Sequence, residues 1–179
     1  MASSADIPTA KYNLRASLRE APDGDSAAVA AAVAEYLAAR PGLSTIASYA
    51  ALPGEVHLLH LVAAHPDRHW VFPRIDRDCL TFHLVRSPGE DLVQGTFAIR
   101  EPKSSLNLVP VSEIDAFLCP GLAFDRAGGR LGRGKGFYDR MLATARPGAV
   151  KIGVTFANRI FDHVPREPHD VMMDAVIAA

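Results

Sequence analysis

Six short apolar runs, set between stretches with helical spacing, constrain the fold of this chain most. The runs are "TIASYAAL" (45–52), "WVFPRI" (70–75), "LTFHLV" (80–85), "DAFLCPGLAF" (115–124), "KIGVTF" (151–156) and "DAVIAA" (174–179). Each has strand length, and most are rich in β-branched and aromatic residues. Between them lie "KYNLRASLRE" (11–20), "SAAVAAAVAEYLAAR" (26–40), "LPGEVHLLHLVAAH" (52–65) and "FYDRMLATAR" (137–146), which read as helices. Ser26 is placed to cap the second, which ends at Pro41-Gly42, and Glu55 is the first acid at the start of the third, where negative charge is favourable. Residues 87–105 read as irregular. Strands that alternate with helices predict an α/β fold, a single-domain three-layer α/β/α arrangement with a mainly parallel sheet. In such sheets ligands sit at the carboxyl ends of the strands. A chain of 179 residues suits one domain, taken as 1–179.

Charge and cysteine content then exclude several classes of function. With 19 basic and 20 acidic residues the net charge is -1, so no global field draws the protein onto nucleic acid or an anionic membrane. Any preference for anions is local. The two cysteines, Cys79 and Cys119, are far apart in apolar runs and indicate neither a disulfide framework nor a CxxC pair. No apolar stretch reaches the roughly 18 to 20 residues that span a bilayer, and "MASSADIPTAKYNLR" lacks a hydrophobic signal core. A cytoplasmic protein, with no membrane or nucleic-acid partner, is expected.

Local anion affinity is concentrated in "DRAGGRLGRGKGFYDR" (125–140). Gly132, Gly134 and Gly136 remove the Cβ atoms that hold a ligand off the backbone, so successive N–H groups can converge on an anion. Arg130, Arg133 and Lys135 add mobile positive charge, and the helix expected from Phe137 adds its N-terminus. The stretch suits a polyphosphate. Gly129 to Lys135 satisfies the spacing GxxxxGK, but Gly136 stands where a P-loop needs a hydroxyl for magnesium. The dinucleotide fingerprint fails at Asp139, and the aromatic pattern of an RNA-recognition strand breaks at Tyr138-Asp139. Asp139 is placed to take part in a metal site. Magnesium on a nucleotide commonly uses one or two carboxylates, and Asp125, Asp162, Asp170 and Asp174 are candidates for the second. Lys11, Arg15 and Arg19 repeat every fourth residue on one helix edge, the pattern of a solvated basic face.

"PGLAFDRAGGRLGRGKGFYDR" (120–140) closely resembles the signature of the 5-formyltetrahydrofolate cyclo-ligase family, also called methenyltetrahydrofolate synthetase. The resemblance extends to Lys11 and Arg15, "SYAALPGEV", "FPRI", "GTFAIREP" and "VPREPHDVMMDAVI", so it covers nearly the whole chain. It implies an ATP- and Mg2+-dependent conversion of 5-formyltetrahydrofolate to 5,10-methenyltetrahydrofolate with release of ADP and phosphate. The formyl oxygen is phosphorylated and N10 then closes the ring. Such chemistry needs positioning and charge neutralisation more than a covalent nucleophile.

By resemblance, Lys11, Arg15 and the segment Arg130, Leu131, Gly132, Arg133, Gly134, Lys135, Gly136, Phe137 and Tyr138 bind ATP, with Arg133 and Lys135 nearest the transferred phosphate. Glu55 matches the acid that holds the pterin part of the substrate, Ala50, Phe97 and the residues from Arg133 to Phe137 line the folate side, and Asp139 and Asp170 are the magnesium-associated acids. Phe137 stands where a tyrosine is common, Phe97 where a tryptophan occurs, and His57 replaces a second acid. A non-catalytic nucleotide- or folate-binding regulator is the alternative, and an RNA-binding loop a third reading. His57 and His60, three apart, lack a third zinc ligand, His169 is placed to orient Asp170, and Cys119, Trp70 and Phe72 read as core. A monomer is expected.

Overall fold

The computed structural model describes residues 6–19, 21–95 and 99–179. In chain order it contains α1 (Ile7–Ser17), α2 (Ser26–Ala38), β1 (Thr45–Ala47), α3 (His60–Ala64), β2 (His69–Asp76), β3 (Cys79–Leu84), α4 (Pro88–Asp91), β4 (Leu92–Gln94), β5 (Arg100–Pro102) and β6 (Leu108–Val109). There follow β7 (Ala116–Cys119), β8 (Ala123–Asp125), β9 (Arg130–Leu131), α5 (Phe137–Leu142), β10 (Val150–Thr155), β11 (Ile160–Phe161) and β12 (Ala175–Ala178). A sheet in the order β12-β10-β7-β1-β2-β3-β6 forms the centre. Its first five strands are parallel, and β3 and β6 add antiparallel at one edge.

The central strands are buried on both faces, and their side chains point alternately into two different cores. Ile46, Leu118, Ile152 and Val154 pack on one face with Val29, Val33 and Leu37 of α2 and Leu61 and Val62 of α3. Ala47, Phe117 and Cys119 face the other way and meet Met141 and Leu142 of α5. The expected mainly parallel α/β sheet with helices on both faces is therefore present. Pro73 sits inside β2 at no cost to the ladder. Pairing with β1 ends at Ala47↔Val71, before the proline is reached.

Local boundaries differ from the sequence expectations for identifiable reasons. Asp25, not Ser26, caps α2, its Oδ1 accepting from Ala27 N at 2.8 Å, while Ser26 Oγ accepts from His57 N at 3.2 Å. Strand pairing of β1 stops at Ala47, although Ser48 N still donates to Val71 O at 2.9 Å. The run 115–124 is two strands, because Pro120 lacks an N–H and the chain bends at Leu122; β8 then joins the small sheet β11-β8-β9. Residues 87–105 hold α4 and the hairpin β4-β5 rather than irregular chain. Helix α1 ends at Ser17, and residue 20 lies outside the described residues. Among the described residues, no helix is long and apolar enough to cross a membrane.

Candidate active site

A cavity of about 450 Å³ opens where α1, the segment after β7, residues 130–139 and residues 167–170 converge. The hairpin β8-β9 delivers the glycine segment to it, with Phe124 paired to Arg130 and Ala123 to Leu131. Gly134 and Gly136 have φ of +96° and +67°, values that L side chains rarely adopt, so the loop's path depends on them. Gly136 is also the residue before α5. That helix has six residues and stops at Leu142, short of the expected Arg146. So short a helix contributes little macrodipole, and anion affinity here rests on the loop amides and the cations.

Three opposite-charge contacts organise one end of the cavity. Lys11 is 6% exposed, and its Nζ reaches Asp170 Oδ2 at 2.5 Å and Glu167 Oε2 at 2.8 Å. Burial pushes the Asp170 carboxyl up, but the Lys11 hydrogen bond, the Glu167 amide and the Lys11 charge outweigh it and hold Asp170 below the ordinary carboxylate range. Arg130, buried on β9, grips both oxygens of Asp139 through Nη2 at 3.0 Å. Asp139 Oδ1 also accepts from Val171 N at 3.2 Å, which ties α5 to the segment that carries Asp170. Arg15 Nε donates to Gly132 O at 2.9 Å. The basic edge of α1 is thus split: Lys11 is buried, Arg15 half-buried and Arg19 exposed.

Arg133 links this end to the next. Its Nε donates to Glu55 Oε1 at 2.9 Å, and Glu55 Oε2 accepts from Leu52 N at 3.0 Å. Glu55 is buried at 6% exposure in the loop before α3, which begins only at His60. The expectation that Glu55 opens a helix is corrected accordingly. Its position is set by Arg133 and by its own local backbone, and His57 stands outside the helix that bears His60. Lys135, exposed on the loop, lines the cavity.

The other end is mostly apolar. Pro73 and Ile75, two apart on one face of β2, form its wall with Leu80, Ile99 and Ala50. Tyr49 is 3% exposed, and its hydroxyl has no hydrogen-bond partner among the described residues. Burial, then the neighbouring Glu55 carboxylate, raises its pKa well above the ordinary phenol value. Tyr138 is shifted in the same direction, first by burial. Cys119 is buried in the core, and burial pushes its thiol up to about 12.

The structure brings Lys11, Arg15, Ala50, Glu55, Arg130 through Asp139 and Asp170 to one cavity; Phe97 lies outside the described residues. Of the other acids weighed from sequence, Asp125 is 1% exposed and accepts from Ala127 N, Gly129 N and Val164 N, a turn-holding role. Asp162 is exposed and Asp174 accepts from Lys151. Among the described residues, Glu167, His169 and Asp170 form a cluster whose ligand atoms lie within 4.8 Å of one another. Sequence reasoning overlooked Tyr49, Glu101 and Glu167 as cavity residues. Nothing local in the sequence marked Pro73, Ile75 or Glu101 as facing this space.

A profile of the 5-formyltetrahydrofolate cyclo-ligase family matches residues 9–179. The chain is 46% identical over 87 residues to the 5-formyltetrahydrofolate cyclo-ligase of Mycolicibacterium smegmatis, a match covering 48% of this chain and 45% of that one. It is 34% identical over 146 residues to the mitochondrial 5-formyltetrahydrofolate cyclo-ligase of Arabidopsis thaliana, covering 67% and 52%. In these matches the chain spans about half the length of the curated relatives. The NMR structure of Aquifex aeolicus 5,10-methenyltetrahydrofolate synthetase superimposes with a TM-score of 0.79 at 26% identity, over 97% of this chain and 89% of that one. The Mycoplasma pneumoniae 5,10-methenyltetrahydrofolate synthetase shares the fold, with a TM-score of 0.72 at 22% identity, covering 96% and 98%.

Proposed function

The chain belongs to the 5-formyltetrahydrofolate cyclo-ligase family, and we propose that it cyclises 5-formyltetrahydrofolate to 5,10-methenyltetrahydrofolate at the expense of ATP. The observation that carries this reading is the convergence of Lys11 and Arg15, the 130–139 loop and Asp170 on one cavity, from three distant parts of the chain. Phosphoryl transfer asks a protein mainly for positioning and for charge aimed at the moving group. Lys11, Arg15, Arg133 and Lys135 supply that charge, and the amides of Gly132, Gly134 and Gly136 supply close backbone approach.

In the reaction, the formyl oxygen bonds to the terminal phosphorus of ATP and ADP leaves. N10 then bonds to the activated formyl carbon and loses its proton, and phosphate departs with the former formyl oxygen. Arg133 is placed to serve both halves. Its guanidinium joins the loop to Glu55 at 2.9 Å, so a phosphate that draws on Arg133 is coupled to the acid on the substrate side. Phe137 offers ring packing where a tyrosine would add a hydroxyl.

The donor set at residues 139 and 167–170 suits magnesium, a hard cation that takes carboxylate and phosphate oxygens. Asp139 and Asp170 would hold it, with Glu167 beside them, and when bound it would neutralise charge on the phosphate oxygens. Lys11 keeps Asp170 ionised, and Arg130 fixes the Asp139 carboxylate in place. Mixing the protein with ATP, magnesium and 5-formyltetrahydrofolate and following the near-ultraviolet absorbance of the methenyl product tests the proposal. Growth of that band that requires ATP is expected. Binding of both ligands with no product would favour a regulator instead.

A further inference from the structure

The glycines that give the phosphate loop its bare backbone also deprive it of stiffness, so its path has to be fixed by contacts from outside. Two arginines hold its first half. Arg15 Nε donates to Gly132 O at 2.9 Å, and Arg133 donates to Glu55 Oε1 at 2.9 Å and to Pro53 O. A third arginine serves the second half, and the reaction described above makes no use of it. Arg140, exposed on α5, turns its guanidinium back toward the loop. Nη1 donates to Lys135 O at 3.0 Å, Nη2 donates to Asp78 O at 3.0 Å, and Cζ stands 5.3 Å from the centre of the Phe137 ring. A Cβ at Gly136 would stand 2.8 Å from Nη1, so glycine there makes room for the guanidinium as well as permitting a φ of +67°. Asp78 lies in the turn between β2 and β3, whose ladder runs unbroken from Val71↔Leu84 to Asp76↔Cys79. The guanidinium therefore joins the main chain of Lys135 to a rigid hairpin outside the loop. A planar fork with donors in fixed directions suits two carbonyls at once, which the point charge of an ammonium does not reproduce.

We propose that Arg140 is a positioning residue: by tying Lys135 O to the β2-β3 turn it sets where the Lys135 ammonium stands while the phosphoryl group moves. Arg140 does not itself line the cavity, and it acts through Lys135. The inference rests on the phosphoryl-transfer reading above and adds to it the contact that orients one of its cations. Stabilisation of a moving charge depends steeply on geometry, and a misplacement of about 1 Å costs on the order of 100-fold in rate.

The test is steady-state formation of the methenyl product by the wild type, Arg140→Ala, Arg140→Lys, Lys135→Ala and the variant that combines Arg140→Ala with Lys135→Ala. Arg140→Ala is expected to lower kcat by about 10-fold, with KM for ATP and for 5-formyltetrahydrofolate within about twofold of wild type. Arg140→Lys should recover only a small part of that loss. In the Lys135→Ala background the same Arg140→Ala change should alter kcat by less than about twofold, because no ammonium is left to place. A loss of about 10-fold in both backgrounds overturns the proposal. So does an Arg140→Ala variant whose melting temperature falls by more than about 5 °C along with kcat, the mark of a structural role. Amide relaxation of the labelled protein gives a readout independent of turnover. Order parameters at residues 134–136 should drop by about 0.2 in Arg140→Ala while those of β7 hold, and unchanged values in the loop overturn the proposal. A wild type that forms no methenyl product sinks the proposed function and this inference together. A wild type that turns over, matched by Arg140→Ala, sinks the inference alone.

Discussion

At the end of the cavity that faces α1, charge meets charge at 2.5 to 3.0 Å: Lys11 with Asp170 and Glu167, Arg130 with Asp139. At the end that faces β2 and β3, Pro73, Ile75 and Leu80 make an apolar wall, broken by the carboxylate of Glu101 and by a Tyr49 hydroxyl that has no partner among the described residues. The first end is assembled before any ligand arrives, so an incoming polyanion exchanges partners with groups already in position. The second is shaped mainly by apolar side chains that present few charges. Binding at the charged end should therefore respond to salt and pH, and binding at the apolar end should respond to the shape and hydrogen-bonding edge of the ring.

Lys135→Ala breaks the charged end most severely. Its charge counts most as the phosphoryl group moves, so turnover should fall by about 100-fold or more with folate affinity nearly intact. Steady-state kinetics beside direct folate binding separate the two quantities. Reduced folate affinity with unchanged turnover would contradict the division of labour.

Lys11→Met sharpens the same contrast through pH. The Asp170 carboxyl is held below its ordinary value in the folded protein, with the Lys11 hydrogen bond working against burial. Its contribution is therefore complete above the unfolded carboxylate value of about 3.9 and is lost as pH falls through the lowered folded value. Melting curves from neutral pH downward should show a constant gap between wild type and Lys11→Met that closes in acid. Removing Lys11 should also raise the Asp170 pKa, measurable by NMR titration. A gap that widens on acidification would reverse the sign.

The smallest effect is expected from Tyr49→Phe at the apolar end. Deleting a buried hydroxyl without a partner among the described residues removes an uncompensated polar group, so the melting temperature without ligand should rise by about 2 °C. A fall of similar size would mean that the hydroxyl already has a partner, and that this end is as preassembled as the other.

The parts of the molecule legible in its sequence were those governed by local pattern. The parallel strands β1, β7 and β10 are apolar runs because both faces are covered, and the glycine loop announced its bare amides by composition. The parts that were not legible depend on contacts distant in sequence. Lys11 read as a solvated cation by spacing, yet residues 167 and 170 bury it. Glu55 read as a helix-start acid, but the chain stays irregular to His60 while Val56 and Leu58 bury themselves, and Arg133 becomes its partner. Asp25 and Ser26 are both good caps, and the choice between them was made by the His57 amide, thirty-one positions away. Glu101 had no local signature at all, since only the folding of β5 beside β2 turns it into the cavity.

Amide spectra of the isotopically labelled protein, recorded with an ATP analogue alone and with 5-formyltetrahydrofolate alone, test the account most directly. The nucleotide should move the resonances of Gly132, Gly134 and Gly136 and leave Ile75 and Ile99 in place, and the folate should move Ile75 and Ile99 at the apolar wall. A nucleotide that perturbs Ile75 and Ile99 while the three glycines stay unmoved would contradict the assignment of the loop to the triphosphate.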